Sequence, residues 1–242
     1  MSHGVNEPLV VRHEYESEDR FLARRLSTWA ERDGPLVEDR ALDALVEQQP
    51  RRVLEVGCGT GDFSARVRDA VRGVFVAVDL SYRMAALARA RGLIAQVADI
   101  ESLPFADSPF DAVLANRVLY HVPDLDRGLR EIVRVLRPGG CLIAVAYSER
   151  HLEELAELLD RPLIGSTFSA ESGPPAMERH LGRVRSEEVV GAAVFRSADA
   201  LHGFAAQQFG LPVASTPDRL GDVPLPFRAT YRHCVMVGTT PA

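Results

Sequence analysis

Val53-Leu54-Glu55-Val56-Gly57-Cys58-Gly59-Thr60-Gly61 is the stretch that decides the fold. Arg52 to Val56 has strand character and runs directly into three glycines at alternate positions. Asp62 then caps a run in which Phe63, Val67, Ala70 and Val71 share one helical face. Strand, glycine turn and helix together bring a ligand against bare backbone N–H groups at a helix N-terminus. Glycines are needed there because a Cβ would block close approach and because some positions require positive φ. The spacing is G-x-G-x-G, and not the G-x-G-x-x-G that cradles a pyrophosphate. Glu55, two residues before Gly57, points the same way. A carboxylate at the strand end suits a ligand with a cationic amino-acid end and repels a diphosphate.

Further segments continue the alternation. Val74-Phe75-Val76-Ala77-Val78-Asp79 is a second apolar strand ending in an acid. Rossmann-like folds place an acid about 20 residues past the glycine turn, where it accepts hydrogen bonds from ribose hydroxyls. Ser81 caps a helix with Met84, Leu87 and Ala88 on one face, closed by Gly92. A third strand, Ile94 to Ala98, ends in Asp99-Ile100. A fourth, Asp111 to Asn116, leads into Arg117-Val118-Leu119-Tyr120-His121. A helix carrying Leu125, Leu129, Ile132 and Leu136 in register stops at Arg137-Pro138-Gly139-Gly140, and a fifth strand runs from Cys141 to Tyr147.

Residues 50 to 148 together resemble the class I S-adenosylmethionine-dependent methyltransferases, in particular their type 11 small-molecule group. The resemblance implies an α/β, Rossmann-like doubly wound sheet of seven strands, mostly parallel with an antiparallel last strand, flanked by N-terminal and late helical lid segments. It implies S-adenosyl-L-methionine as cofactor and S-adenosyl-L-homocysteine as product. Glu55 would then lie at the amino-acid end, Gly57, Gly59 and Gly61 against the methionine and ribose, and Asp79 at the ribose hydroxyls. Met84 and Ile100 would flank adenine with Asp99 on its amino group, and Cys58, Leu80 and Asn116 would complete the cofactor-binding set. DNA and protein-glutamine N-methyltransferases carry a polar residue followed by Pro-Pro-Tyr at the position of Asn116. Here Asn116 is followed by Arg117-Val118-Leu119, which disfavours base-flipping DNA methylation and leaves O, N and C acceptors open.

Composition sets limits. The 242 residues are expected to form one domain: an N-terminal helical cap over 1–49, a cofactor-binding core over 50–148, and a C-terminal part over 149–242 with acceptor-pocket insertions. All 28 basic residues are arginine, which removes Schiff-base chemistry and the P-loop lysine. A net charge of −6 argues against a phosphate backbone as the main partner. DNA is not expected, and RNA methylation is only the runner-up to a small-molecule acceptor of the specialised-metabolite kind. A third reading is a cofactor-binding scaffold or cyclase-type catalyst without methyl transfer. No apolar run approaches the roughly 18 residues of a membrane span. Met1-Ser2-His3-Gly4 lacks a basic-then-apolar signal pattern, and Cys58, Cys141 and Cys234 form no C-x-x-C. A reducing cytoplasm and no metal site are therefore expected.

The flanks hold the acceptor candidates. Ser17 is expected to cap a helix bearing Phe21, Leu22, Leu26 and Trp29, broken by Gly34-Pro35 and followed by a helix from about Leu36 to Val46. Tyr15 is a candidate for contact with cofactor or acceptor. Ser148 is expected to cap a helix with Leu152, Leu155, Leu158 and Leu159. Beyond it come a helix at Ala176 to Leu181, a strand near Arg183 to Phe195, a helix from Ser197 to Phe209 and a last strand from Tyr231 to Gly238. Methyl transfer from a sulfonium needs alignment more than a strong base, and proximity contributes on the order of 7 to 11 kcal/mol. His121, just past strand four, is the candidate proton acceptor. His151, His180, His202 and His233 read as surface or structural.

Overall fold

The computed structural model describes residues 30–160, 166–209, 220 and 223–241. Tyr15 and the helix expected over Phe21 to Trp29 lie outside the described residues. The described residues open with strand β1 (Glu31–Asp33) and helix α1 (Val37–Glu47), then alternate through β2 (Arg52–Val56), α2 (Asp62–Ala70), β3 (Val74–Asp79), α3 (Tyr82–Ala90) and β4 (Ala95–Val97). β5 (Phe110–Asn116), a 3₁₀ turn at Leu119–His121, α4 (Leu125–Val135) and β6 (Leu136–Tyr147) follow. The C-terminal part adds α5 (Glu153–Leu158), α6 (Gly173–Glu178), β7 (Val184–Phe195), α7 (Ala198–Phe209) and β8 (Phe227–Thr239).

These strands form one sheet in the order β1-β7-β8-β6-β5-β2-β3-β4. β2 is parallel to both β3 and β5, and β8 is antiparallel to both β6 and β7. The chain order reverses between β2 and β5, the switch point whose carboxyl-end crevice receives ligands in open α/β sheets. Buried residues alternate faces along each central strand, as a period of two requires. Leu54, Val113, Leu142 and Met236 join one cluster with Leu129 and Ile132 of α4. Val53, Leu114, Ile143 and Val237 join the other with Leu45 of α1 and Phe63 and Val67 of α2. Burial on both faces explains why these strands read as continuous apolar runs.

Four local expectations are corrected. The sheet has eight strands and not seven, because Glu31–Asp33 pairs antiparallel with Ala192 to Val194. Two glycines distant in sequence permit this: a Cβ on Gly34, at φ +114°, would lie 2.8 Å from Gly191 Cα. The turn at Arg137 to Gly140 does not precede β6 but lies within it, as an irregularity between the pairs Phe110–Leu136 and Ala112–Cys141. Asp111 pins it, accepting from Arg137 Nε at 2.6 Å and from the Arg51 and Arg52 N–H groups at 2.8 and 2.9 Å. Asp62 is the first residue of α2, whose N-cap is Gly61. Ser148 does not cap α5, which starts at Glu153; its hydroxyl donates to Glu171 and accepts from the Arg150 N–H.

Candidate active site

A cavity of about 1010 Å³ opens at the carboxyl ends of β2, β3 and β5. The glycine turn forms its floor in a way the spacing alone did not disclose. The Gly57 and Cys58 N–H groups both donate to Val78 O, Gly59 N–H donates to Asp79 Oδ2 at 2.8 Å, and Gly61 N–H donates to Cys58 O. These four donors are spent inside the protein. The glycines serve shape. All three have positive φ, and a Cβ on Gly57 would come within 2.4 Å of the Val118 side chain.

Eight of the candidate cofactor residues reach the cavity wall: Glu55, Gly57, Cys58 and Asp79, then Leu80, Asp99, Ile100 and Asn116. Gly59 and Gly61 stand behind that wall, and Met84 is fully buried in the core, where Ser81 caps α3 through the Met84 N–H. Asp79 also accepts from the Ser81 N–H at 2.9 Å. Burial raises its carboxyl above the usual range, against the pull of the Ser81 and Gly59 N–H groups. Burial, Asp79 and Glu55 together raise the Cys58 thiol, which keeps it protonated and unreactive. The side-chain oxygen of Asn116 is buried without a hydrogen-bond partner among the described residues. With Glu55, Asp62, Asp79, Asp99 and Glu101 on its wall, this end suits a cationic ligand rich in hydroxyl and amino groups.

The opposite end is built differently, and the sequence reading missed most of it. Tyr147, His151, Tyr231 and His233 line it beside Tyr120 and His121. Register creates the group, since Tyr147 of β6 stands opposite His233 of β8. The rings meet at centroid distances of 5.0 Å for Tyr147–His233, 4.5 Å for Tyr147–His151 and 4.4 Å for Tyr120–His121. His151 and His233 are therefore wall residues of the cavity, where the sequence suggested surface or structural roles. His180 is elsewhere, bonded to Asp126. Arg117, at φ +57°, reaches into the same space and pairs with Glu38 at 2.6 Å. Burial works against its charge, but Tyr147, Glu38 and Tyr120 outweigh it and hold the guanidinium protonated.

Both imidazoles are kept neutral. Burial first, and then the Arg117 charge, bring His151 down to about 4 against the hydrogen bond from its Nδ1 to the Arg232 main chain. Burial, His151, Arg117 and Arg32 bring His233 down to about 2. Depressed basic groups stabilise the fold above the unfolded value of 6.5, and that contribution is lost as pH falls towards the folded values. Stability to urea should therefore decline from pH 6.5 towards pH 4, and His233→Gln should shallow that decline. An identical slope in the variant would remove His233 from this account.

Comparison with known proteins gives the following likenesses. Residues 54–144 match the methyltransferase domain family. A malonyl-[acyl-carrier protein] O-methyltransferase of Pectobacterium atrosepticum is 37% identical over 125 residues, covering 51% of this chain and 49% of that protein. The ubiquinone/menaquinone biosynthesis C-methyltransferase of Vibrio cholerae is 35% identical, covering 46% of each. The matched stretch thus spans about half the length of these curated relatives. A methyltransferase structure from Thermotoga maritima superposes with a TM-score of 0.57 at 22% identity, covering 94% of both chains. Residues 54–144 are thus similar to a methyltransferase domain, and the sheet has the Rossmann-like fold of the superposed structure. Among the described residues, no helix is long and apolar enough to cross a membrane.

Proposed function

We propose that this chain methylates a small molecule, using S-adenosylmethionine held over the glycine turn. The observation that carries the reading is the polarity of the cavity. Its floor is acidic and hydroxyl-accepting around Glu55 and Asp79, with the buried Asn116 oxygen, which has no partner among the described residues, beside them, and its far end is aromatic and imidazole-lined. Glu55 and Asn116 would take the cationic amino-acid end, Asp79 the ribose hydroxyls, and Asp99 with Leu80 and Ile100 the adenine. Bound S-adenosylmethionine supplies a methyl group on a sulfonium, open to in-line displacement. The protein's part is alignment and exclusion of water, with proximity contributing on the order of 7 to 11 kcal/mol. Glu55 and Asp79 also favour the cation over the neutral product, which helps hold the donor before transfer.

His121 lines the cavity from the 3₁₀ turn after β5, where a neutral imidazole would accept a proton from a hydroxyl or amine acceptor. The three cysteines are free and buried, which suits a reducing cytoplasmic setting. Incubation of the chain with methyl-labelled S-adenosylmethionine and a metabolite panel, read by mass spectrometry, should give a singly labelled product. With such an acceptor in hand, His121→Ala should lower turnover by about 10² to 10⁴ if it moves the proton, and leave turnover unchanged if it only shapes the wall. Donor binding without label transfer to any acceptor class would contradict the proposed activity.

A further inference from the structure

The far chamber carries more charge information than a generic acceptor pocket. Two arginines face it, Arg117 and Arg32, and the Arg32 guanidinium lies over the Tyr231 ring at 5.7 Å. Among the described residues only one carboxylate there answers them, Glu38 of α1, at 2.6 Å from Arg117. The other charges at this end are already matched: Asp33 pairs with Arg228, and Arg66 with Asp39. Arg32 has no carboxylate within ion-pair distance among the described residues. His151 and His233 add no charge at neutral pH, since burial and the same arginines keep them unprotonated. The remaining acids on the cavity wall, Glu55, Asp62, Asp79, Asp99 and Glu101, belong to the opposite, donor end. Among the described residues the chamber therefore holds one net positive charge amid stacked rings. An aromatic cage alone would welcome a cation; a net positive charge on its described wall would disfavour one. Arg117 is also held in place, since its side chain is only 23% exposed and its main chain is anchored by the bond from its N–H to Val145 O.

Resting on the methyltransferase reading, we propose that the acceptor is a planar molecule bearing an ionised oxygen, of phenolate or aromatic carboxylate type, held by Arg117 and Arg32 between the Tyr120, Tyr147 and Tyr231 rings and the His151 and His233 imidazoles. Arg117 is then the residue that selects acceptors by charge. Charged guanidinium–oxyanion hydrogen bonds are strong in such a half-buried place, and the planar fork matches a carboxylate or phenolate edge.

Calorimetry on protein saturated with S-adenosylhomocysteine tests this, using three probes of similar size: 4-nitrophenolate, the neutral anisole and the cationic phenyltrimethylammonium. The anion should bind and the cation should not. Arg117→Ala should weaken 4-nitrophenolate by about 10- to 100-fold while S-adenosylhomocysteine affinity stays within about twofold, the scatter expected away from a contact. Glu38→Gln removes the opposing charge and should tighten the anion, a gain that loss of structure cannot imitate. Preference for phenyltrimethylammonium, or an unchanged affinity in Arg117→Ala, or weaker anion binding in Glu38→Gln, would each overturn the proposal and leave the donor site standing. Failure of the wild-type chain to bind S-adenosylhomocysteine would instead overturn the reading beneath it, and the proposal with it.

Discussion

Asp79→Ala is expected to weaken S-adenosylhomocysteine by about 1.5 to 3 kcal/mol, or roughly 10- to 150-fold. Two losses combine. The carboxylate lines the cavity where ribose hydroxyls would donate to it, and it also holds the glycine turn through the Gly59 N–H at 2.8 Å and the Ser81 N–H at 2.9 Å. Asp79→Asn keeps the shape and one acceptor oxygen but must place an amide donor against one of those N–H groups, so it should fall between wild type and alanine. Equilibrium dialysis with labelled S-adenosylhomocysteine measures all three. Wild-type affinity in Asp79→Ala would remove Asp79 from the ribose site.

Gly61→Ala should cost about 2 to 5 kcal/mol of folding stability, from roughly 1 to 2 for a left-handed backbone and about 1 to 3 for overpacking. Gly61 sits at φ +82° as the N-cap of α2, and a Cβ would lie 2.8 Å from Leu93 Cδ1 and 2.9 Å from the main-chain Cα of Ala88. That contact joins the glycine turn to the end of α3, so a shift there also tilts the cavity floor. Gly92 separates the two costs: its φ is +77°, but the nearest atom to its Cβ would be Arg68 Nη1 at 3.7 Å. Gly92→Ala should therefore lose only about 1 to 2 kcal/mol, and urea midpoints with unchanged m-values would show the difference. Equal losses in the two variants would mean that packing against Ala88 and Leu93 does not matter.

What was legible in the chain and what was not divides along sequence distance. Strand β2, the glycine turn, α2 and the acid Asp79 are marked by local signals: apolar runs, turn residues and a helical period. The same holds for the Ser81 cap and for the late pair β7 and β8. Events that depend on contacts across the chain stayed hidden. Strand β1 exists because Gly34 and Gly191 allow close approach, and no short window contains both. The turn donors bond to Val78 and Asp79, so the function of G-x-G-x-G here could not be told from a ligand cradle by spacing. The aromatic and imidazole chamber draws on β6, the segment before α5, and β8. One signal for it was available: Tyr231 and His233 are two apart in a strand and so share a face, unusual for a last strand otherwise rich in apolar residues.

The most direct test of the account is a calorimetric titration of the wild-type chain with S-adenosylmethionine, S-adenosylhomocysteine and NAD. The acidic floor at Glu55 and Asp79 and the internally spent turn donors predict saturable one-to-one binding of the first two, with S-adenosylmethionine at least as tight as its product. They predict no binding of the dinucleotide, whose diphosphate would meet carboxylates where a phosphate cradle presents N–H groups. Saturable binding of NAD, with no heat from either adenosyl ligand, would contradict the account at its centre.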